Sequence, residues 1–316
     1  MKFYLAPMEG LTGYVFRNAY QTYFHDIDRY FTPFIVNKKM SHRELSDILP
    51  EHNQGMEVIP QVLTNQTEDV LSLAEELQTY GYQEINLNLG CPSGTVASKN
   101  RGAGFLALTD ELDAFLDTIF SRCCCKVSIK TRIGKLDPAE WETILSIYEK
   151  YPVEELIIHP RIQQDFYKHP VRMEAYRYAC EHSRHSLCYN GDLFCLADYQ
   201  AFCRAFPQTE KIMLGRGILM NPGLTASLRD SGQAPILTRE LLRHFHDDIL
   251  LGYKEIMSGD RNVLYKMKEL WFYLGHSFAS PEKYLKKIRK AQRLSDYQDA
   301  VNALFASQEL VVPTRL

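Results

Sequence analysis

The stretch Gln83-Glu84-Ile85-Asn86-Leu87-Asn88-Leu89-Gly90-Cys91-Pro92 reads as a short strand, Gln83 to Asn88, that stops at a Gly-Cys-Pro turn. A helical pattern precedes it over Thr67 to Tyr80, with Val70, Leu71, Leu73, Ala74 and Leu77 on one face and Thr67 in the capping position. The same pairing, a β-rich run with room for one helix, recurs along the chain. Further strands are expected at Lys2 to Ala6, Arg29 to Ile35, Glu57 to Leu63, Lys126 to Arg132, Glu154 to His159, Ser186 to Asn190 and Lys211 to Gly215, with helices such as Asp110 to Phe120 and Pro138 to Lys150 between them. Eight alternating units with short connections predict an α/β fold closed as a (β/α)8 TIM barrel rather than an open doubly wound sheet.

The alternation stops after Met220-Asn221-Pro222-Gly223, and Gly232-Gln233-Ala234-Pro235 reads as a linker. Beyond it, helices are expected at Thr238 to Ile256, Asn262 to Gly275, Pro281 to Arg293 and Ser295 to Leu304, which suits a small all-helical C-terminal domain. The expected division is therefore residues 1–232, a catalytic barrel, and residues 233–316, a helical domain. A chain of 316 residues is long enough for both.

Hydrophobic residues at 45% and charged residues at 24% are ordinary globular values, and nothing argues for long disorder. The formal net charge of −3 hides an asymmetry. Residues 238–316 carry 13 Lys and Arg against 10 Asp and Glu, whereas residues 1–237 carry 23 against 29. The opening Met1-Lys2-Phe3-Tyr4-Leu5-Ala6-Pro7 reaches Glu9 after a short apolar run, so neither a signal peptide nor a membrane span is expected. Eight cysteines in such a chain fit thiols of a reducing compartment, and the cytoplasm is the expected location. No metal is expected: Cys123-Cys124-Cys125 lacks paired zinc spacing, and the ten histidines form no persuasive constellation. No heptad seam is legible, so a monomer is expected.

Barrel active sites lie at the C-terminal ends of the strands. Polar residues are abundant there: Pro7, Met8 and Glu9 after the first strand, Gln61 in the third, Asn88 and Cys91 after the fourth, Lys130 and Arg132 in the fifth, His159 and Arg161 after the sixth, Asn190-Gly191-Asp192 after the seventh and Gly215-Arg216 after the eighth. Glycines after the last two strands, each read as opening a helix, would let backbone amides approach a phosphate, although either alone is as well read as a tight turn. Lys130 would point into the barrel mouth, either to steady an anionic ligand or to pair with a neighbouring carboxylate. Cys91 is either a buried inert thiol or, being mostly protonated at neutral pH, a general acid. Asn88 is either a substrate contact or the cap of its own turn.

The set Ala6-Pro7-Met8, Leu87-Asn88-Leu89-Gly90-Cys91-Pro92, Ser128-Ile129-Lys130-Thr131-Arg132, His159 with Arg161, Asn190-Gly191-Asp192 and Gly215-Arg216-Gly217 resembles the tRNA-dihydrouridine synthase family in order and spacing from Met1 to about Met220, with a weaker match at Tyr265-Lys266-Met267-Lys268. The resemblance implies an FMN held by Pro7, Met8, Glu9, Gln61, Lys130, His159, Asn190, Gly191, Asp192, Gly215 and Arg216, with NADPH as reductant. It implies tRNA as substrate, with hydride delivered to C6 of an extruded uracil while Cys91 protonates C5. Asn88, Arg132 and Arg161 become candidate contacts to uracil or flavin. Three departures stand out: Pro160 and Ile162 follow His159 where the family often has Gly or Ala and Thr, Gly94 stands where a lysine is common, and Thr64 where glycine is frequent. Lys99 and Arg101 are candidates to supply the missing charge.

In the helical tail, Lys283, Lys286, Lys287, Arg289, Lys290 and Arg293 form a basic run beside Tyr284. Such a run is usually a solvated helix face, but the family's helical domain recognises RNA, so these residues, with Lys266, Lys268 and Arg261, are expected to meet phosphates. Two rival readings remain: a flavin barrel reducing a small free pyrimidine or enone, and an RNA-binding protein that keeps the barrel without catalysis.

Overall fold

The computed structural model describes residues 1–36, 38–230, 232 and 237–314. Within them one sheet contains nine strands: β1 Lys2–Leu5, β2 Arg29–Phe31, β3 Val58–Ile59, β4 Gln61–Val62, β5 Glu84–Leu89, β6 Lys126–Gly134, β7 Leu156–Ile162, β8 Leu187–Asn190 and β9 Lys211–Leu214. Their order is β3-β2-β1-β9-β8-β7-β6-β5-β4, with parallel pairing.

Eight strands were expected, and the ninth has a simple cause. The expected strand Glu57 to Leu63 is broken at Pro60, which has no N–H to give a ladder. Its first half, β3, pairs with β2 and its second half, β4, with β5. Ile35 bridges in parallel to Val62, donating to the Gln61 carbonyl and accepting from the Leu63 amide, both at 2.8 Å. One interrupted strand thus closes the barrel. Pro160 acts similarly in β7: the β6–β7 register runs to Arg132↔His159 and then shifts to Gly134↔Ile162.

Inside the barrel Tyr4, Ala6, Phe31, Ile59, Ile157, Cys188 and Met213 form one buried cluster. At the opposite end from the candidate site, Arg29 meets Glu57 at 2.5 Å and Glu84 at 3.2 Å, while Lys211 meets Glu155 at 2.6 Å. Outside, the helix Thr67–Thr79 buries Val70, Leu71, Leu73, Ala74 and Leu77, as its spacing predicts. Each of the Val and Leu side chains contributes about 1.5–3 kcal/mol. Thr67 is not its cap: Gln66 occupies that position without a side-chain bond, and Thr67 is already helical.

The chain forms two compact units. The first comprises Met1–Pro7, Asp28–Asp192 and Phe206–Met213; the second comprises Met8–Ile27, Leu193–Ala205 and Leu214–Leu316. In the second unit the expected helices run Arg239–Ile256, Asp260–Leu274, Glu282–Lys290 and Leu294–Ser307. Thr238 caps the first of them, accepting from the Leu241 amide at 3.1 Å. The same unit holds Tyr14–Tyr23, whose Phe16 and Tyr20 rings meet Phe245 edge-on. Of the expected linker, only Gly232 is described; residues 233–236 lie outside the described set. Among the described residues no helix is long and apolar enough to cross a membrane, and no group of three His, Cys, Asp or Glu could hold a metal ion.

Candidate active site

In the first unit, β5 ends at Leu89 and the chain turns through Gly90 and Cys91. Asn88 makes that turn. Its Oδ1 accepts from the Gly90 amide at 3.1 Å and the Cys91 amide at 2.9 Å. Of the two readings of Asn88, the capping one describes its contacts. Its Nδ2 donates to Gln61 Oε1 at 2.7 Å, Gln61 Nε2 donates to Asn86 Oδ1 at 2.8 Å, and Asn86 Nδ2 donates to Ser128 Oγ at 3.0 Å. Backbone amides can only donate, so they fix which way each amide in this chain faces. Gln61, expected against a flavin, is fully buried within this relay.

Cys91 is half-buried, and all eight cysteines are thiols. The Ala103 amide donates to the Cys91 carbonyl at 3.1 Å. Gly102, at φ +55°, lies so close that a Cβ would stand 2.9 Å from Cys91 Cβ. Pro92 is tied across the mouth by Gln163 Nε2, which donates to its carbonyl at 2.8 Å.

Lys130 lies opposite Asn88 in the β5–β6 register. Among the described residues no carboxylate stands within ion-pair distance of it, which removes the structural-pair reading. Burial, and then the nearby Arg132 charge, push its ammonium down to about 8. It is a half-buried cation that an anion would stabilise.

Arg132, a candidate contact to uracil or flavin, is held by backbone. It has no accessible surface and donates to the carbonyls of Ile162 and Phe166, both at 2.7 Å. Arg161, a candidate of the same kind, meets Asp192 and backbone. Its guanidinium is buried and bidentate on Asp192, at 2.9 and 2.5 Å, and its Nε donates to the His169 carbonyl at 2.6 Å. Both guanidiniums brace the chain around the turn after β7. Arg161 also lies 3.0 Å from His159 Nε2. A guanidinium only donates, so Nε2 accepts and the proton of the neutral ring sits on Nδ1. Asn190 donates to the Met213 carbonyl at 2.8 Å. At Gly191 a Cβ would fall 2.1 Å from Tyr189 Oη, so only glycine fits. Gly191 does not open a helix as expected, because the next one starts only at Leu196.

The turn after β7 was not foreseen. Phe166 has φ +47° and ψ −103°, a backbone state that costs a bulky residue about 1–3 kcal/mol. Asp165 holds it there: its carboxylate accepts from the Ile162 amide at 2.9 Å and is gripped by both terminal nitrogens of Arg172. Burial opposes ionisation of Asp165, but Arg172 and the Ile162 amide outweigh it and hold its carboxyl below the usual range. Nothing in the sequence pattern Ile162-Gln163-Gln164-Asp165-Phe166-Tyr167 announced a strained turn, since no glycine marks it.

Pro7 follows the first strand of this unit, whereas Met8 and Glu9 belong to the second unit. There Lys266 donates to the Gly10 carbonyl at 2.8 Å, and Lys268 to the Ala291 carbonyl at 2.6 Å, where it caps the helix Glu282–Lys290. Each of these candidate phosphate contacts thus makes one hydrogen bond to backbone and keeps two further N–H donors. Gly215 caps the short helix Arg216–Met220, and the Arg216 guanidinium lies 5.3 Å from the Phe194 ring centre. Lys283, Lys286, Lys287, Arg289, Lys290 and Arg293 are exposed, with no ion-pair partner among the described residues. Like charges three and four apart destabilise a helix, so this run is costly without an anionic partner. Lys99 is exposed and Arg101 half-buried, again without an ion pair among the described residues; Gly94 is exposed, and Thr64 is buried, accepting from the Gln66 amide at 3.1 Å.

Residues 4–311 match the family model of dihydrouridine synthase (Dus). A probable tRNA-dihydrouridine synthase of Staphylococcus aureus (strain COL) is 28% identical over 229 residues, covering 70% of this chain and 69% of that one. A tRNA-dihydrouridine(16) synthase of Vibrio parahaemolyticus is 24% identical over 314 residues, covering 92% of each. Among solved structures, an old yellow enzyme homologue from Zymomonas mobilis superposes with a TM-score of 0.53 at 8% identity, over 76% of this chain and 91% of that one. At that identity the likeness shows the barrel fold alone.

Proposed function

Because the chain belongs to the dihydrouridine synthase family, we propose that it reduces the C5–C6 double bond of uridines in tRNA, using FMN reduced by NADPH. The carrying observation is the juxtaposition at the mouth of the first unit: a thiol turn fixed by Asn88, in register with a half-buried lysine that has no carboxylate partner among the described residues. The residues fit a flavin in one respect. Lys130 has no carboxylate partner among the described residues and is suited to negative charge near N1. His159, Asn190, Asp192 and Pro7 are the further candidate contacts in this unit. Met8, Glu9, Gly215 and Arg216 join them on the resemblance alone.

When bound and reduced, the flavin supplies hydride chemistry at C6. The chain supplies the rest. The uracil double bond is conjugated to a carbonyl, so negative charge that builds toward C5 is quenched only by a proton there. Cys91 holds that proton on Sγ, at a turn whose backbone is held by hydrogen bonds from its own amide to Asn88 and from the Ala103 amide to its carbonyl. The basic helix Glu282–Lys290 offers cations to phosphates, which supports a polynucleotide over a free base.

The test is the visible spectrum of the purified protein with NADPH-dependent dihydrouridine formation on unmodified tRNA and on free uridine. Flavin absorbance with turnover on tRNA, abolished in Cys91→Ala, is the expected result. Turnover on small molecules alone transfers the assignment to a free-pyrimidine or enone reductase, and a protein unable to take up flavin overturns both.

A further inference from the structure

We infer that Phe166, shouldered by Tyr167, is a base-stacking residue that holds the RNA at the mouth of the barrel. The inference rests on the tRNA reading above and adds a residue that neither the sequence motifs nor the family likeness assigned.

Three observations on this turn converge. Phe166 combines a left-handed backbone with a ring that is 41% exposed, so neither its conformation nor burial favours a phenylalanine there. Among the described residues no aromatic ring lies against it, whereas the ring of its neighbour Tyr167 lies over the Arg132 guanidinium at 5.3 Å and near His159 at 6.0 Å. The backbone is over-determined: Arg132 donates to the Phe166 carbonyl, the Phe166 amide donates to the Gln163 carbonyl at 3.2 Å, and Arg172 anchors Asp165 beside it. A rigid turn that spends strain to present two large rings, 41% and 44% exposed, is built for a planar partner.

Its position names that partner. Gln163 in the same turn is hydrogen-bonded to Pro92, next to Cys91, so the rings stand beside the thiol turn within one unit. A uracil taken out of its stack leaves neighbouring bases with an open face, and an aromatic ring fills that gap without regard to base identity.

The test separates ring from backbone. Phe166→Gly removes the ring while relieving the left-handed strain; Phe166→Ala removes the ring alone; Phe166→Trp keeps a stacking face. Steady-state kinetics on unmodified tRNA, thermal melting and the rate of flavin reduction by NADPH would be measured for each. The expected result is a KM for tRNA raised about 10-fold or more in the Gly and Ala variants, a Phe166→Gly melting point at or above that of the parent, wild-type flavin reduction throughout, and near-parent KM for Phe166→Trp. Parent-like KM and kcat in Phe166→Gly and Phe166→Ala overturn the inference while leaving the enzyme assignment intact. A parent protein with no turnover on any tRNA overturns both.

Discussion

Asn88 Oδ1 accepts the backbone amide of Cys91 at 2.9 Å, and the other end of the same side chain donates to Gln61 at 2.7 Å. Asn88→Ala therefore strands two amides and one buried carbonyl oxygen at once. The expected cost is about 1–3 kcal/mol of stability, read by denaturant unfolding. Because the displaced turn carries the proposed proton donor, turnover on tRNA should fall by about 10-fold or more while flavin reduction by NADPH is retained. Equal losses in both half-reactions would instead mean that Asn88 serves the flavin.

Lys130 is the second test. Its ammonium is pushed down to about 8 by burial and Arg132, and an anionic ligand can only raise that value. In Lys130→Met the bound flavin's two-electron potential should shift negative by about 30–60 mV. In the parent, the potential's pH dependence should show an extra break at or above pH 8, where the cation is lost, and the variant should lack it. Spectroelectrochemical titration decides; identical curves would remove Lys130 from the flavin's charge balance.

The exposed cations of the helix Glu282–Lys290 predict a salt effect. Replacing Lys286, Lys287, Arg289 and Lys290 together by Gln should lower the slope of log affinity for tRNA against log salt by about 0.7–0.9 for each phosphate that is no longer neutralised. No ion pair of the described residues is broken by the change, so the melting point should hold or rise. An unchanged salt slope would return the run to a solvated helix face.

His246 gives a pH-dependent stability. It is buried in the helical unit, with Nδ1 2.8 Å from Asp247 and Nε2 accepting from Tyr297 Oη at 2.6 Å; Trp271 donates to the same hydroxyl at 2.8 Å. Burial pulls its pKa below 6.5 against the opposing pull of Asp247. The unfolded chain then binds more protons than the folded one just below pH 6.5, so stability falls as pH drops through that window. Melting points between pH 7 and pH 5 should decline more steeply in the parent than in His246→Gln. Parallel declines would place the acid sensitivity elsewhere.

Much of the fold was legible because alternation of strand and helix is a local property. Val127, Ile129, Ile157 and Ile158 sit where their spacing put them, and Cys91 lies at a strand end as its Gly90 and Pro92 neighbours suggest. The ninth strand was not read, although Pro60 was visible, because only pairing on both flanks reveals that one strand has become two. The contacts that Arg132, Arg161, Lys266 and Lys268 make within the fold were not legible for a related reason: a cation in sequence carries no sign of which backbone carbonyl or carboxylate will meet it.

The amino-acid sequence by itself determined the barrel, the helical tail, the family and the position of the thiol, since periodicity and motif order are properties of neighbouring residues. The tertiary structure alone decided what each polar side chain touches. Asn88, Gln61, Asn86 and Ser128 come from three separate stretches of chain, and only the side-by-side pairing of β4, β5 and β6 brings their amides and hydroxyl into one directed hydrogen-bond chain. The left-handed turn at Phe166 was decided in the same way, because the groups that over-determine it, Arg132 and Arg172, reach it from β6 and from beyond the turn. Long-range contact, not local propensity, is what holds a bulky residue at positive φ.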